Sequence, residues 1–188
     1  MSQTSGDGPA AIADRIDTDR LILRRYVMSD ADRVLDVLSR LEVIRWLGNP
    51  PFTPMTDLGE ARAWIERANG TEREDPGRAR RAIEVRDTGL VVGCVLVERL
   101  ERTGGGFVGE HELGWHLNPD SVGHGYATEA AAAMGSAAFA AGHESLVIDM
   151  YPDNTPSAAV ARRLGARELG VREDPWYGDT SLQFELVA

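Results

Sequence analysis

The stretch from Val108 to Ala141 limits the folds open to this chain more than any other. Val108–Leu117 alternates with the period of two that marks a strand, and Gly125–Ala141 is an alanine-rich run suited to a long helix. Between them lies Asn118-Pro119-Asp120-Ser121-Val122-Gly123-His124-Gly125. Two glycines one residue apart let the backbone turn tightly and bring its amides close to a ligand. The helix that follows offers unpaired N–H groups and the positive end of its dipole. A strand, a glycine turn and a helix in that order can seat a pyrophosphate. The same arrangement also serves as an ordinary helix entry, and the glycines alone leave both readings open. A dinucleotide fingerprint G-x-G-x-x-G fails at Thr128, and no acidic residue ends a following strand at the required distance.

The rest of the chain extends this unit into an alternating pattern. Residues 1–17 carry loop formers and little to bury, and read as a flexible N-terminal tail. Arg20–Tyr26 reads as a first strand. Ser29 is a candidate N-cap, followed by Asp30 and Asp32 in a first turn and by Val34, Leu35, Val37, Leu38 and Leu41 at helical spacing. Thr56 or Asp57 can cap a second helix to about Ala68, and residues 69–79 read as a polar loop. Arg81–Arg86 and Leu90–Leu100 read as strands joined by a turn at Asp87-Thr88-Gly89. Ser145–Tyr151 is a strand, Asn154–Leu164 a helix, and 167–173 with 180–187 two closing strands. The expected fold is α/β of the mixed α+β kind: one twisted mixed sheet of about seven strands flanked by about four helices. Residues 18–188 would form a single domain.

Composition narrows the function. A net charge of -10 opposes nonspecific nucleic-acid binding and a polybasic membrane surface. An acidic surface suits a cationic partner, though solubility alone can account for it. All basic residues are arginine, so no P-loop lysine exists. Cys94, the single cysteine, lies in the apolar run Val91–Val97 and reads as a buried structural thiol. No apolar run is long enough to span a bilayer, and the N-terminus lacks the features of a signal peptide, so a cytoplasmic location is expected. No His/Asp/Glu grouping has metal-ligand spacing, and no Gly-x-Ser-x-Gly elbow occurs.

Four segments in order carry a family resemblance: Gly114-Trp115-His116-Leu117-Asn118-Pro119, Gly123-His124-Gly125-Tyr126-Ala127-Thr128-Glu129-Ala130, Asn154-Thr155-Pro156-Ser157 and Leu164-Gly165-Ala166. Together they resemble the GNAT family of N-acetyltransferases, and within it the RimJ/RimL branch that acetylates ribosomal-protein N-termini. The opening Thr18-Asp19-Arg20-Leu21-Ile22-Leu23-Arg24 is similar to the start of that branch. The resemblance implies acetyl-CoA as acyl donor, with its pantetheine arm between two splayed strands and its pyrophosphate on the amides of Val122, Gly123, His124, Gly125, Tyr126 and Ala127. It further implies that Leu117 and Asn118 pair with the pantetheine, that Asn154 binds the arm, and that Ser157 lies near the sulfur. The family's loop usually opens with Gln or Arg, where this chain has Val122. Many members carry a tyrosine acid at the position of Ala161, which leaves Ser157 as the candidate acid.

An amine acceptor, with a pKa of about 8 for an α-amine or about 10.4 for a lysine-like one, must lose a proton before it attacks. Glu112 is the candidate base, against the reading of a solvated strand carboxylate. Strand alternation puts Glu110, Glu112 and Gly114 on one face and His111, Leu113 and Trp115 on the other. His116 is either core or proton relay, and His124 either faces solvent or touches phosphate. Arg162 and Arg163 either contact the nucleotide's phosphate or suit a helix C-terminus. Tyr151 could reach the acceptor or simply pack at a strand end. Trp46, Phe52, Trp64 and Trp176 are candidates for the acceptor side, with core packing as the alternative. The acceptor would be a peptide N-terminus or a small amine. A noncatalytic CoA-binding module and a longer-chain acyltransferase are the competing functions. A monomer and a homodimer both stay open.

Overall fold

The computed structural model describes residues 9–48, 50–101, 107–173 and 180–188. Trp176 lies outside them. The described strands are β1 (Arg15–Asp17), β2 (Leu21–Arg24), β3 (Ala79–Val85), β4 (Leu90–Glu101), β5 (Phe107–Leu117), β6 (Ser145–Met150), β7 (Arg167–Glu173) and β8 (Thr180–Val187). They form one sheet of eight strands in the order β1-β2-β3-β4-β5-β6-β8-β7. All neighbours are antiparallel except β5 and β6. Among the described residues five α-helices accompany it: α1 (Ala31–Leu38), α2 (Leu41–Ile44), α3 (Leu58–Glu74), α4 (Tyr126–Ala140) and α5 (Thr155–Arg163). None is long and apolar enough to cross a membrane.

Helices α4 and α5 cover one face. There Leu21, Leu23, Ile83, Val95, Val97, Leu113, Ile148 and Phe184 meet Ala130, Ala131, Met134, Ala138, Ala158 and Ala161. The small side chains of α4 let it lie close to the sheet; a methyl on its Gly135 would come within 3.3 Å of Leu186. Helices α1 and α3 cover the other face, packing Val34, Val37, Ala61 and Ile65 against Tyr26, Ala82 and Cys94. Cys94 is buried there, and burial raises its thiol pKa. In β4, Val92 and Cys94 stand two apart yet belong to opposite cores. Ile83 pairs with Gly93 while Glu84 pairs with Val91. Val92 is therefore the extra residue of a bulge, which reverses the alternation.

Several boundaries differ from those the sequence suggests. The first strand is Leu21–Arg24, and Ser29 falls in a single 3-10 turn, Met28–Asp30. Asp30, not Ser29, organises the entry to α1: its carboxylate accepts from Val27 N–H at 2.9 Å and from Arg24 at 2.7 and 3.0 Å. Asp57 caps α3, accepting from Gly59 and Glu60 N–H. That helix continues through the expected loop to Glu74. Its last turns are held from outside, by Asn69 Nδ2 donating to Tyr26 C=O at 2.8 Å and by Glu72 pairing with Arg25 and Arg81.

Residues 9–17 were expected in the tail and are instead docked. Ala10 N–H donates to Ala141 C=O at 2.7 Å, Ile12 is buried, and Arg15–Asp17 pairs with Ile22–Arg24. The cause is a wholly buried arginine. Arg81 on β3 has a side chain with no exposed surface, and its guanidinium donates to the carbonyls of Ile12 and Ala13 at 2.9–3.1 Å. Glu72 supplies its counter-charge, and leaving the remaining buried N–H groups without acceptors would cost about 1–3 kcal/mol each.

Histidines occupy two further positions, His111 buried and His116 half-buried. His111 lies 3.4 Å from Asp75 Oδ2 and edge-on to His143, ring centroids 4.5 Å apart. Burial, with the neighbouring His143, lowers its pKa. His116 is packed among Tyr26, Trp64 and Val34, and burial lowers its pKa to about 3. In the unfolded chain both rings titrate near about 6.5. Stability from these rings is therefore complete above that pH, falls as the pH drops below it, and is fully lost once the pH passes below the folded values. Between pH 6.5 and 5 the unfolding free energy should drop by roughly 1 kcal/mol on account of His116. Urea titrations at both values, on the protein and on His116→Gln, check this; the variant should lose less.

Candidate active site

The candidate site begins where the sheet comes apart. Strands β5 and β6 share one residue pair, Glu112 with Val147. Beyond it β5 stays paired with β4, from Leu113 opposite Val97 to Leu117 opposite Gly93. Strand β6 stays paired with β8, from Ile148 opposite Phe184 to Met150 opposite Leu182. Each strand keeps its outer neighbour and loses the inner one, so a V-shaped gap opens toward the C-terminal ends of both. Backbone groups on the facing edges have no ladder partner there, and an extended amide-bearing ligand can take that role.

Both strands deliver a helix N-terminus to the mouth of the V. After Leu117, a 3-10 turn at Pro119–Ser121 leads into the exposed loop Val122–Gly125 and then α4. Gly123 and Gly125 have φ of +89° and +80°, a region that side chains other than glycine seldom enter. Gly125 is the N-cap of α4 and supplies no side-chain cap. The first amides of the helix, from Tyr126 and Ala127 onward, therefore have no intrahelical acceptor. After Tyr151, α5 starts at Asn154, which is buried and whose Oδ1 accepts from Ser157 N–H at 3.3 Å. Ser157 sits in the first turn, half-buried. Val122, Gly123, His124, Gly125, Tyr126, Ala127, Leu117, Asn118, Asn154 and Ser157 thus all gather at the mouth of the V.

Glu112 occupies its apex. Its Oε1 leans along the strand, 3.5 Å from where a methyl on Gly114 would stand. Glu112, Gly114 and His116 share the α1–α3 face, while Leu113 points into the α4 core. The glycine is favoured there by its cross-strand neighbour, since a methyl on Gly114 would stand 3.0 Å from Leu96 Cδ1. His116 lines a small pocket with Tyr26, Arg33 and Trp64, barely large enough for a single water. Gly93 makes the crossing beside it possible, since a methyl there would stand 2.1 Å from His116 C=O.

Asn118 is tied to the protein rather than open to a ligand through its side chain. Its Nδ2 donates to Asp36 Oδ2 at 2.8 Å, its Oδ1 accepts from Asp120 N–H, and its own N–H donates to Val92 C=O at 2.7 Å. Arg40 bridges Asp36 and Asp120. Tyr151 donates to Gly48 C=O at 2.6 Å beside the ring of Trp46. The α1–α2 region therefore reaches both arms of the V. Trp64 packs edge-on against Tyr26 with Arg80 over its ring, a core position. Phe52 is half-buried.

Arg162 is not at the mouth. It stands at the opposite end of α5, paired with exposed Glu168 at 2.8 Å and lying over Phe184. His124 is exposed and stacks on Tyr126, centroids 5.4 Å apart. Ala161 is fully buried. One group had no assigned role on sequence grounds: Glu129 in the first turn of α4, held by Thr18 and Arg20. Its partners stand 109 and 111 residues away, too far for local pattern to reveal.

Comparison with known proteins agrees with this geometry. The sequence matches the family described as the acetyltransferase (GNAT) domain over residues 20–167. It is 29% identical over 159 residues to p20 of Bacillus licheniformis, named an uncharacterized N-acetyltransferase, covering 84% of each chain. An acetyltransferase structure from Agrobacterium tumefaciens is 26% identical with a TM-score of 0.73, over 97% of this chain and 99% of that one. RimL, a ribosomal L7/L12 alpha-N-protein acetyltransferase in complex with coenzyme A, has the same fold at 19% identity and a TM-score of 0.73, over 92% and 97%. With the family match spanning most of its length and the split sheet of the fold in place, this chain belongs to the GNAT acetyltransferases.

Proposed function

We propose that the protein transfers the acetyl group of acetyl-CoA to a primary amine by direct attack within a ternary complex. The observation that carries this reading is the single β5–β6 pair, which leaves two strand edges facing each other beside an uncapped helix. A pantetheine arm has the amides to pair with such an edge, and its diphosphate suits the amides of Val122–Ala127. Among these, Val122 N–H is already given to Pro119 C=O at 3.2 Å, which leaves Gly123 to Ala127 as the main donors. The coenzyme A held by RimL, a protein of the same fold, supports the choice of donor.

In this mechanism Glu112 takes a proton from the acceptor ammonium, directly or through a water. The neutral nitrogen attacks the thioester carbonyl, an N–C bond forms, and main-chain N–H groups hold the oxyanion. The tetrahedral intermediate collapses with loss of the C–S bond; Ser157 protonates the departing thiolate, and the second proton, which the nitrogen gives up in becoming an amide, returns through water to restore the Ser157 hydroxyl. His116, with its pKa pushed down by burial to about 3, stays uncharged near neutrality and is not assigned as the base. The Thr18–Arg24 opening favours the RimJ/RimL branch, and with it a protein N-terminal amine as acceptor. An uncharged amine is required for attack, so the rate should rise with pH until the acceptor is fully deprotonated.

Gly125→Val should weaken acetyl-CoA binding by at least tenfold, because the side chain would force φ from +80° and crowd the loop. Calorimetry on the folded variant checks this, and unchanged affinity would remove the loop from the donor site. Glu112→Gln and Ser157→Ala should each lower kcat by about 10²-fold or more with little change in donor Kd. Release of free thiol from acetyl-CoA across a panel of peptides and amines measures both. A variant with the parent's kcat would take its residue out of the mechanism.

A further inference from the structure

The first turn of α4 contains a carboxylate that works against the site it helps to build. Glu129 is the fourth residue of the helix, in the same positive field that a diphosphate would use. An uncompensated carboxylate there would repel the donor. The structure holds it in a closed set of contacts. Its Oε1 accepts from Thr18 Oγ1 at 2.6 Å and from Arg20 N–H at 3.0 Å. Its Oε2 accepts from Arg20 Nε at 2.7 Å and pairs with Nη2 at 2.6 Å. Burial would raise the Glu129 pKa, but the Thr18 hydroxyl, the Arg20 N–H and the guanidinium outweigh it and hold the carboxylate ionised.

The same guanidinium also touches the loop. Arg20 Nη1 donates to His124 C=O at 2.9 Å, and its plane lies 5.2 Å over the Tyr126 ring. Nη2 stands 3.4 Å from where a methyl on Gly125 would be. The loop has two glycines and no cap of its own, so its shape is costly to fix without an external brace. The turn Thr18–Leu21 is itself locked, with Thr18 N–H donating to Leu21 C=O at 3.0 Å and Leu21 N–H to Thr18 Oγ1 at 2.9 Å.

We propose that Arg20 is a positioning residue of the donor site, which neutralises Glu129 and braces the glycine loop so that the loop amides can receive the CoA diphosphate. The inference rests on the donor reading above. It assigns to the β1–β2 turn, far from the reacting atoms, a part in donor affinity. Arg20 acts through Glu129 and His124 and is not a catalytic residue.

Calorimetry on the full chain with acetyl-CoA and with S-acetylpantetheine, which lacks the diphosphate, tests it. Arg20→Met should weaken acetyl-CoA binding by about tenfold and leave S-acetylpantetheine unchanged, with kcat at saturating donor close to the parent's. Arg20→Met/Glu129→Gln should recover part of the loss, because the repelling carboxylate is gone while the brace on His124 is not restored. Parent-like acetyl-CoA affinity in Arg20→Met, equal loss of both probes, or a double variant no better than the single one would each overturn the proposal. If Arg20→Met does not fold, Glu129→Gln alone carries the test: it should bind acetyl-CoA at least as tightly as the parent, and weaker binding overturns the proposal. A parent protein that binds both probes equally would instead refute the diphosphate loop itself, and this inference with it.

Discussion

Strands β5 and β6 run side by side and share the pairing of Glu112 with Val147 before they part. Hydrogen bonding forces the consequence. Strand β5 remains in register with β4 and β6 with β8, so neither can turn back to satisfy the other. Two rows of amides and carbonyls then face a gap, and such groups are stable only with water or a ligand as partner. Because the two strands are parallel, both helices that follow them begin at the same end of that gap. The open edges, the glycine loop and the start of α5 are thus one construction. Glu112 stands where the gap closes.

Charge is organised around the loop on two sides. On one, Asn118, Asp36, Arg40 and Asp120 join the end of β5 to α1. On the other, Thr18 and Arg20 hold Glu129 and His124. Exposed ion pairs contribute little to stability singly, often under about 1 kcal/mol. Their value here is geometric, since the loop's glycines leave its shape to its neighbours. The acidic net charge of the chain is compatible with this, because the local field at the loop comes from helix amides rather than from a basic surface.

What was legible in the sequence was whatever local spacing determines. The alternation of Val108–Leu117, the paired glycines and the alanine-rich run after them marked the β5–loop–α4 unit and its amides. The faces of Glu112 and Leu113 followed from alternation in the same way. What was hidden depended on distant partners. Arg15–Asp17 is a strand because β2 is beside it and because Arg81, buried on β3, needs the carbonyls of Ile12 and Ala13. Helix α3 crosses Asn69 and Gly70, residues that favour loops, because Tyr26, Arg25 and Arg81 hold its last turns. Arg162, judged by its place near a helix end, proved to pair with Glu168 on the far side of α5. The Val92 bulge, which reverses the faces of β4, has no mark in an apolar run where each residue resembles the next.

The central claim is that main-chain nitrogens of the glycine loop receive the donor's diphosphate while the edge of β5 receives its arm. Backbone amide resonances followed during a titration with acetyl-CoA test it most directly. The account predicts that the largest shifts, and the greatest slowing of amide exchange, fall on Gly123, His124, Gly125, Tyr126 and Ala127, with a second group at the end of β5. Saturable binding that leaves these amides unmoved, with the shifts gathered elsewhere on the protein, would contradict it.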